Sequence, residues 1–179
     1  MSFAVVKGDL LKFKGDAIVQ QNNCLTTRTH GLSSAIKKEF GVDSYSIRED
    51  SKAKNIAVQE DRDLPGSIQV FETGINPKYV VCLFGQYQPG TPNKYPKYKK
   101  ASDEDGVVET YKIRETWFEQ GLNELKKWIL DNKIKSIGFP YKIGCGLARG
   151  KWDNYNAMII NFHQELNEVS KVDVSIIQL

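Results

Sequence analysis

Three stretches of the 179-residue chain hold side chains able to do chemistry. Ile137 to Trp152 starts as an apolar run, breaks at Pro140 and continues as a loop with Gly144, Gly146 and Gly150. A helical pattern follows, marked by Tyr155, Met158, Ile159, Phe162, Leu166 and Val169. Strand, glycine loop and helix make an anion device. Glycine lets backbone N–H groups crowd an oxyanion, and the helix N-terminus adds partial positive charge. The spacing is neither Gly-x-Gly-x-x-Gly nor the Lys-Ser/Thr P-loop, so a phosphate cradle of another kind is expected. The second stretch is Asp16-Ala17-Ile18-Val19-Gln20-Gln21-Asn22-Asn23-Cys24, running on to His30-Gly31-Leu32-Ser33. Carboxamides both donate and accept, which suits sugar hydroxyls. Two of the four are expected to order their own loop instead. His30 reads equally as a general acid/base or as a loop-packing residue. The third stretch is Val6-Lys7-Gly8-Asp9. Its carboxylate could accept a hydrogen bond from a ligand amine or cap its own turn.

These stretches need elements to position them. Strands are predicted over Phe3–Val6, Asp16–Val19, Ser67–Phe71, Tyr79–Phe84, Ser136–Phe139 and Val172–Ile177. The apolar run Tyr79–Phe84 fits a strand buried on both faces. A helix runs from His30-Gly31 to about Phe40, with Ser33 or Ser34 as N-cap and Gly41 closing it. A second spans about Val108 to Leu130, with Ile113, Trp117, Phe118, Leu122, Leu125 and Ile129 as its buried stripe. A third follows Trp152. Val42–Leu64 reads as loop with one helical turn, and Pro65-Gly66 as a turn. Tyr87–Gly106, with Pro89, Pro92, Pro96, a lysine cluster and Asp103-Glu104-Asp105, is the least regular part. Interleaved strands and helices predict a single α/β domain over 1–179. Helix N-termini after Gly31 and after Gly150 would clamp a pyrophosphate if they face one another.

The net charge of +3 is too modest to demand nucleic acid. Lys94-Tyr95-Pro96-Lys97-Tyr98-Lys99-Lys100 interleaves basic and aromatic residues as single-strand binders do, but a solvated loop is the preferred reading. No long apolar run and no signal peptide are visible, so a chain that is neither membrane-spanning nor secreted is expected, placed in the cytoplasm, the nucleus or, if viral, the host cytosol. Cys24, Cys82 and Cys145 are odd in number and far apart, as reduced thiols would be. Cys24 and Cys145 lack a visible base partner, so they read as small buried residues rather than nucleophiles. Two histidines suggest no metal cluster.

Gly8-Asp9, Asp16-Ala17-Ile18-Val19 ending at Asn23, and Ile143-Gly144-Cys145-Gly146-Leu147 together resemble a macro domain. The likeness covers nearly the whole chain. It points in particular to the ADP-ribose-1''-phosphate phosphatase-like group, found also in viruses, through Gln20–Cys24 and His30–Ser33. The resemblance implies a three-layer α/β/α sandwich on a mixed, about six-stranded sheet, with ADP-ribose across the strand ends and no cofactor. It places Asp9 and Leu10 at the adenine, and Asn23 at the distal ribose beside Gln21, Asn22 and Cys24. His30, Gly31, Leu32 and Ser33 fall in the first phosphate loop, and Ile143, Gly144, Cys145, Gly146 and Leu147 in the second. Phe139 and Tyr141 would line the adenine or distal-ribose end. The implied activity is hydrolysis of a substituent at the distal-ribose C1'', most simply phosphate, with Asn23 and His30 catalytic. The alternative is an ADP-ribose-binding module without turnover, reading ADP-ribosylated macromolecules or sequestering an ADP-ribose-derived signal. Macro domains of the terminal glycohydrolase kind carry an aspartate just after Gly-Cys-Gly-Leu. Ala148 stands there in this chain, and Lys151 stands where the phosphatase-like group often has an acid.

Overall fold

A computed structural model describes residues 2–95, 98 and 108–179. Most of the basic–aromatic run and all of Asp103-Glu104-Asp105 lie outside the described residues. The strands are β1 (Phe3–Lys7), β2 (Ala17–Asn23), β3 (Ile68–Glu72), β4 (Tyr79–Gln86), β5 (Ser136–Pro140) and β6 (Asp173–Gln178). They form one sheet in the order β1-β6-β5-β2-β4-β3. Every pairing is parallel except β3 with β4, so the sheet is mixed.

The helices are α1 (Leu32–Phe40), α2 (Tyr111–Asp131) and α3 (Trp152–Val169). Strand alternation assigns them to layers. Ala17, Val19, Val81, Leu83, Ile137, Phe139, Val174 and Ile176 point to one face, where α2 and α3 bury Phe118, Leu122, Leu125, Tyr155, Ile159 and Phe162 on them. Ile18, Val80, Cys82, Phe84 and Ile177 point to the other face, where α1 contributes Ile36. Val80 to Phe84 are completely buried, as a central strand covered on both sides requires. No helix among the described residues is long and apolar enough to cross a membrane.

Some boundaries depart from the sequence expectation. Strand β2 continues past Val19 to Asn23, because Gln20 and Gln21 pair in register with Cys82 and Leu83 of β4. The α1 N-cap is Gly31, not Ser33 or Ser34. The Ser33 hydroxyl accepts from the His30 N–H and donates to the His30 carbonyl, both at 2.8 Å, and so ties the turn ahead of the helix instead. Gly41 closes α1 in the left-handed region as expected. Helix α2 begins later than Val108, where the Thr110 side chain caps the Ile113 N–H.

The parallel strands end along one edge of the sheet. There the chain leaves β2 toward β3 and β4 on one side and leaves β5 toward β6 on the other. Connections diverging in this way open a crevice at the strand ends, the usual ligand position in such sheets.

Candidate functional site

A cleft of about 930 Å³ occupies that crevice, touched by Asn23 at the end of β2, Gln86 at the end of β4 and Pro140 at the end of β5. One wall is the segment from Asn23 to Ser33, backed by Tyr45 and the 53–56 turn. The facing segment is the β5–α3 loop from Tyr141 to Ala148, and Pro89, Gly90, Tyr95 and Tyr98 complete the rim.

The wall at Asn23 is tightly organised. Its Oδ1 accepts from the Leu25 N–H (2.9 Å), the Thr26 N–H (2.9 Å) and the Thr26 hydroxyl (3.1 Å). Those donors fix which way the amide points and leave Nδ2 as its free-handed group, with a long 3.5 Å contact to the Tyr45 hydroxyl. Asn23 can therefore donate to a ligand or a water, but its oxygen is already committed. Arg48 braces the same turn from behind. Its guanidinium donates to the Asn23 carbonyl (3.0 Å) and the Thr26 carbonyl (2.6 Å), pairs with Asp63, and lies over the Tyr45 and Phe84 rings. Burial raises the Tyr45 phenol well above its ordinary range, so it stays a neutral hydrogen-bonding group.

The facing loop is folded on itself. Cys145 N–H donates to the Lys142 carbonyl, Arg149 N–H to Gly146 and Gly150 N–H to Gly144. The N–H groups of Gly144, Gly146, Leu147 and Ala148 donate to no described protein atom. The same holds for Gly31 and Leu32 at the start of α1. Two loops on one cleft thus offer unpaired backbone donors, the arrangement an anion needs. Gly144 is required twice over, by a φ of +76° and by a Cβ position only 2.7 Å from the Tyr155 ring. Gly146 is different: a Cβ there would meet nothing within 4 Å.

The structure gathers Gln21, Asn23, His30, Gly31, Leu32, Ser33, Tyr141, Ile143, Gly144, Gly146 and Leu147 around the cleft. Asp9, Leu10, Asn22, Cys24, Phe139 and Cys145 do not line it. Asp9 stands on the same sheet edge and caps a 3-10 turn by accepting the Leu11 N–H. Leu10, Cys24 and Phe139 are core residues. The carboxamides split by strand alternation. Gln20 and Asn22 are buried and bond Cys82 and Ser44, whereas Gln21 and Asn23 face the cleft, with Gln21 bonded to Gln86. Burial pushes the Cys24 thiol well up and the Cys145 thiol up to about 11, so neither is an activated nucleophile.

Sequence reasoning missed Tyr45, Lys54, Asn55 and Arg28, which line the cleft, and Arg48 behind it. It also missed the buried pair of Arg114 with Glu109 (2.7 Å). Glu109 accepts the Tyr87 and Gln88 N–H groups, and Arg114 donates to the Gln88 and Gly90 carbonyls, fixing the rim. Arg114 falls between Ile113 and Trp117 on the helical pattern, and a cation beside the buried stripe was the available signal. No carboxylate is among the described residues lining the cleft, while Arg28, Lys54 and Lys142 all are.

No family model matches the chain, and no curated protein matches it by sequence. Solved structures do. The macrodomain of Mycobacterium tuberculosis DarG is 20% identical with a TM-score of 0.69, over 99% of this chain and 97% of that one. The macrodomain of Thermus aquaticus DarG is 19% identical with a TM-score of 0.65, over 99% of both chains. A glycine-to-valine variant of the Oceanobacillus iheyensis macrodomain, solved with ADPR, is 15% identical with a TM-score of 0.63, over 98% of this chain and 83% of that one. Sheet order, helix layers and these likenesses agree that this chain has the macrodomain fold.

Proposed function

We propose that the cleft binds ADP-ribose and hydrolyses a substituent at the distal-ribose C1'', most simply the phosphate of ADP-ribose-1''-phosphate. The observation that carries this reading is the pair of loops presenting unpaired N–H groups to one cleft that no described carboxylate lines. Donors of that kind hold a pyrophosphate and also favour negative charge that develops during reaction. Binding of ADPR by a protein of the same fold lends support. In this reading Asn23 donates through Nδ2 to the distal ribose or to the attacking water. Water attacks phosphorus, the bond to the C1'' oxygen breaks, and in this reading His30 takes the proton from the water and returns it to the C1'' oxygen, so that ADP-ribose and inorganic phosphate leave.

Calorimetry with ADP-ribose and AMP, beside phosphate release from ADP-ribose-1''-phosphate, tests it. ADP-ribose should bind well and AMP weakly, because AMP lacks the half that the glycine loop and Asn23 would hold. Replacing His30 with alanine should slow phosphate release by roughly 10²–10⁴-fold if it transfers the proton. Equal affinity for the two nucleotides would remove the distal contacts from the account. A second reading, binding without turnover, is favoured by the same lack of a described lining carboxylate. Tight ADP-ribose binding with no phosphate release would select it.

A further inference from the structure

The wall behind Asn23 carries cations that the backbone cradle does not use. Ala53 to Ile56 form a tight turn closed by the Ile56 N–H on the Ala53 carbonyl, with Lys54 and Asn55 at its tip and Asn55 at φ 66°. Asparagine tolerates that left-handed position better than other side chains. The Thr27 N–H donates to the Asn55 carbonyl at 3.1 Å. Arg28, next to Thr27, and Lys54, next to Asn55, are thereby brought to the same stretch of cleft wall. Both are exposed, and neither forms an ion pair with a described residue. Asp50, which accepts the Thr27 hydroxyl, does not line the cleft.

We propose that Arg28 and Lys54 form an anion subsite beside the cradle, and that it takes a phosphate monoester carried on the distal ribose of the bound nucleotide. The proposal rests on the nucleotide reading above and adds the residues that would recognise a third phosphate. Solvated surface cations normally sit among acids, but these two are held on one wall of a concave site with no described acid in its lining. The Arg28 guanidinium can grip two phosphate oxygens at once, and Lys54 adds a mobile point charge. Asn55, whose carbonyl accepts the Thr27 N–H, lines the same wall as the two cations. The N–H groups of the two loops suffice for a diphosphate, so a third phosphate calls for a separate source of positive charge.

The test compares ADP-ribose with a non-hydrolysable methylenephosphonate analogue of ADP-ribose-1''-phosphate. Affinities are measured by calorimetry on the intact protein and on Arg28→Gln/Lys54→Gln. The native protein should prefer the analogue by roughly tenfold or more, since charge-assisted hydrogen bonds are the stronger ones. The double variant should lose that preference, and Arg28→Lys should keep part of it. Melting curves identify any variant that fails to fold, and Arg28→Lys with Lys54→Gln then serves in its place. No preference in the native protein, or the same preference in the double variant, would overturn the proposal. Should ADP-ribose itself not bind, the nucleotide reading falls, and inorganic phosphate becomes the probe. Phosphate binding lost in the double variant would still support the subsite, and binding unaffected by it would not.

Discussion

Gly146→Val separates binding from folding. At Gly146 a Cβ meets nothing within 4 Å, and the backbone is not left-handed. The stability cost should stay within about 0.5 kcal/mol, as for exposed positions without special roles. The valine side chain would instead stand over the unpaired N–H groups of Gly146 and Leu147. Hydrogen bonds to a charged group contribute about 1.5–3 kcal/mol each, so losing two removes roughly 3–6 kcal/mol. That is a loss of about 10²–10⁴ in affinity. Gly144→Ala is the contrasting variant. It would place a Cβ at φ +76°, 2.7 Å from a Tyr155 ring that is itself buried against Phe118. Left-handed strain and overpacking together should cost about 2–4 kcal/mol. For a domain of this size that lowers the melting temperature by roughly 4–16 °C. The assays are a melting curve and a calorimetric titration with ADP-ribose for each variant. A Gly146→Val protein that melts normally and binds ADP-ribose normally would refute the reasoning, because the loop would then be a turn and not a cradle.

Asn23→Asp keeps the acceptor that holds the Leu25 and Thr26 N–H groups but replaces the cleft-facing NH2 with charge, so it should melt near the native temperature and lose ADP-ribose binding and turnover; unchanged binding would exclude Asn23 from the site. Arg114→Ala strands Glu109 in a buried setting and should cost about 3–5 kcal/mol in urea unfolding, whereas an exposed-type loss under 1 kcal/mol would contradict the burial. With burial pushing the Cys145 thiol up to about 11, its thiolate fraction at pH 8 is roughly a hundredfold below that of an ordinary cysteine, so iodoacetamide labelling followed by mass spectrometry should be slow in the native protein and fast in urea. Asp173 accepts the Ser2 N–H and is held down to about 2, below its unfolded value. Its contribution to stability is therefore complete above about pH 4 and lost as the pH falls toward 2, a dependence that Asp173→Asn should weaken in acid titration of the melting temperature.

Much of this molecule is legible in its residues because local patterning and layer packing say the same thing. The apolar run Tyr79–Phe84 must be a strand buried on both faces, the alternation in Val172–Ile177 marks another strand, and the stripe from Trp117 to Ile129 must be a helix on a sheet. The glycines after Pro140 and the carboxamides from Gln20 to Asn23 stood out because such a density of those residue types serves no core purpose. What sequence could not supply was the direction of individual side chains. Strand alternation sends Gln20 and Asn22 inward and Gln21 and Asn23 to the cleft, and the four look alike in sequence. Asp9 reads as a ligand carboxylate or a turn cap, and only the Leu11 N–H shows that one oxygen is spent. Tyr45, Lys54 and Asn55 lie in a stretch with no periodicity; the Asn23 N–H on the Tyr45 hydroxyl holds the first at the wall, and pairings of Thr27 with Asn55 and Thr26 with Ile56 bring the other two there. Arg48 and Arg114 lie inside because each finds a carboxylate and two backbone carbonyls there. That compensation for lost hydration exists only once distant segments have met. Local sequence therefore determined the elements and the glycine-rich make-up of the loops. Tertiary structure decided which polar groups are spent on the fold and which are left for a ligand, because hydrogen-bond satisfaction is settled between segments and not within them.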